Sequence, residues 1–63
     1  MDGSQNADSV GNSELRGYLA RENGRPRSEN PYAIMASRLA PGSASRARAE
    51  LLEAAWWRGW DWD

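Results

Sequence analysis

The sequence has no cysteine, no histidine and no phenylalanine, and all eight of its basic residues are arginine. Without thiols or imidazoles there is no disulfide staple, no cysteine–histidine zinc site, no thiol nucleophile and no imidazole base. Without lysine, a nucleotide-dependent phosphotransferase lacks its usual phosphate-binding amine, and no glycine-rich loop between a strand and a helix replaces it. The paired carboxylates Glu50 and Glu53 fit a solvated ion-pair role on a helix. The chain therefore reads as a non-enzyme with no metal and no cofactor. No apolar run approaches the roughly 18 residues of a membrane span, and no basic segment followed by a hydrophobic one opens the chain. A cytoplasmic protein without a membrane partner is expected.

What is present is concentrated at one end. All four tryptophans fall between Trp56 and Trp62, and each aromatic side chain of this size buries roughly 150–250 Å². With 63 residues the chain makes at most one domain, burying only about 60% of its unfolded surface, so its core is small and its stability marginal. Self-association into a homodimer is one way such a core gains burial.

The net charge of −1 conceals a segregation. Residues 16–48 carry Arg16, Arg21, Arg25, Arg27, Arg38, Arg46 and Arg48 against only Glu22 and Glu29. Guanidinium forks bind phosphates bidentately and stack on bases, so these seven are the candidate nucleic-acid-binding residues. Arg codon usage in a GC-rich genome is the competing explanation for the same composition.

Residues 1–12 are polar and rich in Gly, Ser, Asn and Asp, and they read as a disordered tail. The remainder, 13–63, reads as a single small helical domain. Asn12 or Ser13 caps a first helix over about 13–23, and Asn23-Gly24 ends it. Leu15, Tyr18 and Leu19 form its apolar stripe, while Gly17, Ala20 and Gly24 form a smooth strip beside it. Arg25-Pro26-Arg27-Ser28-Glu29 is a connector. Asn30-Pro31 starts a short helix over about 31–40, stopped by Pro41-Gly42. Ser43 or Ser45 caps a last helix over about 44–60, with Ala49, Leu52, Trp56, Gly59 and Trp60 on one face. Trp57 and Trp62 do not fit that face. Either they wrap onto the first helix, or at least one is exposed and binds a partner, since Trp is favoured at interface hot spots. The fold class expected is all-α, a small antiparallel helix pair with a short helix between.

The run from Arg16-Gly17-Tyr18 through Ala20 to Asn23-Gly24-Arg25, then Pro31-Tyr32, then Trp56-Trp57-Arg58-Gly59-Trp60, resembles the bacterial ribosome modulation factor family, whose relatives include phage- and plasmid-borne proteins. It covers under half of the chain, and residues 33–46 stand as an insertion between its halves. The resemblance implies structural roles for Gly17, Tyr18, Ala20, Gly24, Pro31, Tyr32, Trp56, Gly59 and Trp60. The glycine strip would be the groove, the tryptophans the ridge that fills it, and Tyr32 a cover on the core. It also implies a ribosome- or RNA-associated modulator that blocks an RNA surface through its arginines. The alternative reading is a phage or mobile-element factor that docks a host protein through Trp57 or Trp62 and the inserted segment.

Overall fold

The computed structural model describes residues 10–62, and these form three α-helices with no strand among them. Helix α1 spans Val10–Glu22, α2 Pro31–Ser37 and α3 Ala44–Trp60, with a single 3₁₀ turn at Arg27–Glu29 in the connector. The all-α class and the order of one helix, a short helix and a long C-terminal helix are as the sequence pattern implies. The tail expected over residues 1–12 lies outside the described residues except at its last three positions. These are helical, because α1 begins at Val10 rather than at Asn12 or Ser13.

The ends of the helices follow from local chemistry. Gly24, at φ +79°, ends α1: its N–H donates to the Arg21 carbonyl at 3.0 Å while that of Arg25 donates to Ala20 at 2.9 Å. This paired closure needs a left-handed residue, which glycine adopts without strain. Asn30 caps α2 by accepting from the Tyr32 N–H at 2.9 Å, and Ser43 caps α3 by accepting from the Arg46 N–H at 3.1 Å. Helix α2 stops at Ser37, three residues short of the expected end at residue 40. Its last turn tightens, with Arg38 and Leu39 donating to Met35 and Ala36 at 3.1 Å each, because Pro41 disfavours helical geometry at the residue before it.

Tyr32, Leu52 and Trp56 make the core, with Ala36, Ala49 and Ala55 buried beside them and Ala20, Trp57 and Trp60 packed against its edge. Helix α2 runs back along the N-terminal half of α3. The Asn30 amide donates to the Glu53 carbonyl at 2.9 Å and Arg46 reaches the Leu39 carbonyl. Asn30 is thus fully buried with both ends of its amide satisfied, which is the condition for a stable buried polar group.

Helix α1 lies across the C-terminal third of α3, and the two backbones touch. A Cβ placed on Gly17 falls 2.8 Å from the Trp56 carbonyl carbon and 3.0 Å from the Trp60 nitrogen, and closer still to the Trp56 oxygen. Reciprocally, one on Gly59 falls 2.7 Å from the Glu14 carbonyl carbon and 3.0 Å from the Tyr18 nitrogen. Each glycine thus sits over one helical turn of the other helix. The small residue at position 17 admits this contact with the α3 backbone itself. Gly24 takes no part in it, having nothing within 4 Å of its Cβ position. The expected apolar stripe is corrected as well. Ser13 and Gly17 face inward, whereas Leu15, Tyr18 and Leu19 are exposed, because only the small-residue side of α1 lets the backbones approach this closely.

Candidate functional site

The seven candidate arginines do not form one open patch. Arg21 is spent on the end of α3, donating to the carbonyls of Trp60 at 3.1 Å and Trp62 at 2.8 Å, with its guanidinium 5.5 Å from the Trp60 ring centroid. A cation there satisfies carbonyls that have no helical partner and complements the helix dipole. Arg27 forks onto Asp61, with Nε to Oδ1 and Nη2 to Oδ2 both at 3.2 Å, and lies 5.0 Å from the Trp57 ring centroid. Arg25 pairs with Glu29 at 3.2 Å and Arg46 with Glu50 at 3.1 Å. Arg58 joins Glu14 at 3.2 Å, tying α3 to α1. All of these pairs are solvent-accessible, so each is worth at most about 1 kcal/mol. Arg16 and Arg38 are exposed and make no ion pair among the described residues.

The tryptophans divide in the same way. Trp56 is buried in the core. The Trp57 indole donates to the Arg27 carbonyl at 3.1 Å and that of Trp60 to the Arg25 carbonyl at 2.9 Å. These two half-buried rings stitch the connector, rather than the first helix, to α3. Trp57, expected at a partner surface, is thus engaged within the fold, and Trp62 is the exposed one. Pro31 opens α2, Tyr32 lies within the core, and Tyr18 faces outward.

Residues of α2 and α3 together build a feature that the sequence pattern does not show by itself. Between α2 and α3 lies an open groove of about 540 Å³ lined by Tyr32, Met35, Leu39, Ala44, Ser45, Arg48, Ala49 and Leu52. Its walls are largely apolar. Arg48 is part of the lining, Arg46 holds the Leu39 carbonyl at its edge, and Arg38 stands next to Leu39. The first turn of α3 opens into it at Ala44 and Ser45, adding the positive end of a helix dipole. The signal was available in the spacing of Met35 and Leu39 against Arg38, Arg46 and Arg48, but it becomes a groove only once α2 folds back on α3. None of the described helices is long and apolar enough to cross a membrane. Compared with protein-family models, curated proteins and solved structures, the chain matches none.

Proposed function

We propose that this chain is a small non-enzymatic binding factor whose groove between α2 and α3 receives an acidic amphipathic helix of a partner protein. The observation that carries the reading is the combination of an apolar floor with Arg48 in the groove lining and Arg46 at its edge. Apolar side chains of the partner helix would fill the floor, and its carboxylates would meet the guanidinium rim, as in other helix-in-groove recognition.

The ribosome- or RNA-associated reading, which the resemblance to ribosome modulation factor implies, stands second. It is favoured by Arg16 and Arg38, exposed without ion pairs, and by Arg25, whose pair with Glu29 is open to exchange for a phosphate. Protein is preferred because Arg21 and Arg27 are held within the fold and the Trp57 and Trp60 rings carry those guanidiniums instead of a base.

The test is a fluorescence-anisotropy titration of two labelled helix-forming peptides. One has leucines on one face and glutamates on the other, and the second has lysines in place of the glutamates. A single-stranded RNA oligonucleotide and ribosome co-sedimentation are followed in parallel across a salt series. The proposal expects the acidic peptide to bind at least tenfold more tightly than the basic one, and Met35→Asp and Arg48→Glu each to weaken it. Equal binding of both peptides, or none, overturns it. Binding to RNA that falls steeply with salt and is reduced by Arg16→Ala and Arg38→Ala transfers the function to the second reading, because phosphate contacts release counterions.

A further inference from the structure

The side of α1 turned away from α3 is apolar and uncovered. Leu15, Tyr18 and Leu19 are 53%, 39% and 46% exposed and lie at i, i+3 and i+4, a spacing that makes one continuous stripe. Trp62, 61% exposed, extends that surface across a shallow hollow of about 290 Å³ whose walls include Leu15, Tyr18, Gly59 and Trp62. Together these side chains present on the order of 400 Å² of apolar surface, the size of the largest patch on a typical monomer. The whole described surface of the protein is only 4350 Å², so the patch is close to a tenth of it.

Two charges frame the stripe. Arg16 lies on one flank and Glu22 closes the helix one turn beyond Tyr18 and Leu19. Both are exposed, and neither makes an ion pair among the described residues. We propose that this face binds a second copy of the chain, α1 against α1, with the helices antiparallel about a twofold axis beside Leu19. In that arrangement Arg16 of each copy meets Glu22 of the other, so two ion pairs flank a core of Leu15, Tyr18 and Leu19 from both copies. The parallel arrangement would set Arg16 against Arg16, and like charges there disfavour it. A twofold contact is closed by its own symmetry and stops at the dimer. The near-zero net charge of −1 leaves little repulsion between copies.

The area sets the strength. Three side chains from each copy bury well under the roughly 1,200–2,000 Å² of stable complexes, so the dimer is weak and exchanging. The groove reading concerns a different surface and does not enter this test.

Sedimentation equilibrium of the full chain from about 10 µM to 1 mM measures it. The expected result is a reversible monomer–dimer equilibrium that Leu19→Glu abolishes while circular dichroism remains helical. Arg16→Glu and Glu22→Arg should each raise Kd about tenfold, the equivalent of 1.4 kcal/mol, and the double exchange should restore it. A monomer throughout the range overturns the proposal. So does a dimer indifferent to Leu19→Glu, an assembly that grows past two, or a double exchange no better than either single one.

Discussion

Replacing Gly17 with alanine sets two effects of opposite sign against each other. Helix propensity alone makes the substitution stabilising by about 1 kcal/mol, because glycine gives up more backbone freedom than alanine on folding. The crossing reverses this. An added methyl would stand 2.8 Å from the Trp56 carbonyl carbon and nearer to its oxygen, whereas relaxed carbon contacts lie at about 3.5–4.0 Å. What blocks it is backbone inside a helical turn, not a side chain that can swing aside, so α1 must lift by about 1 Å along the whole contact. Overpacking of this kind costs about 1–3 kcal/mol. With the upper part of that range and the propensity gain subtracted, Gly17→Ala should be destabilising by about 2 kcal/mol. A domain of this size loses roughly 4–8 °C of Tm per kcal/mol, so thermal unfolding followed by circular dichroism should move down by about 8–16 °C. Gly11, also in α1 but with nothing within 4 Å of its Cβ position, is the control, and Gly11→Ala should raise Tm slightly. If Gly17→Ala raises Tm as Gly11→Ala does, the helices are not in backbone contact and the reasoning fails.

Three further outcomes are expected. Ser13 is fully buried and its hydroxyl has no hydrogen-bond partner among the described residues, so Ser13→Ala removes an unsatisfied group and should stabilise by about 1 kcal/mol in urea unfolding. Asn30→Asp keeps the acceptor for the Tyr32 N–H but replaces the donor to the Glu53 carbonyl with a buried carboxylate oxygen. It should cost about 3 kcal/mol or more at neutral pH, measured as a lower urea midpoint at unchanged slope. Acrylamide quenching should read Trp62 as the accessible tryptophan, so Trp62→Phe removes most of the quenchable fluorescence with little change in Tm; an equal loss from Trp57→Phe would contradict the placement of the rings.

The end of α1 and the starts of α2 and α3 were legible because they depend on neighbours in sequence. Asn30 before Pro31, Ser43 before the Arg- and Ala-rich run, and Gly24 after Asn23 each act within a few residues. The pairing of Leu52 with Trp56 in the core was legible too, since they share one helix face. The orientation of α1 was not. Its larger apolar side chains point outward because close approach of two backbones needs Ser13 and Gly17 at the contact, and hydrophobic periodicity carries no information about that distance. Nor does the arginine count reveal ion pairs such as Arg27–Asp61, whose members stand 34 positions apart. The groove escaped the sequence reading for the same reason, being made by α2 and α3 together.

The last turns of α3 hold contacts from nearly every other part of the fold: Glu14 to Arg58, Arg21 to Trp60 and Trp62, Arg25 and Arg27 to Trp60 and Trp57, and Asn30 to Glu53. During synthesis, then, the first helix and the connector are made long before anything exists for them to fold upon. Closure across separations of up to 44 positions waits for the tryptophan segment to leave the exit tunnel, and only then can the small core be completed. A chain stopped before Trp56 would lose the backbone on which α1 lies while keeping residues 44–55, along which α2 packs.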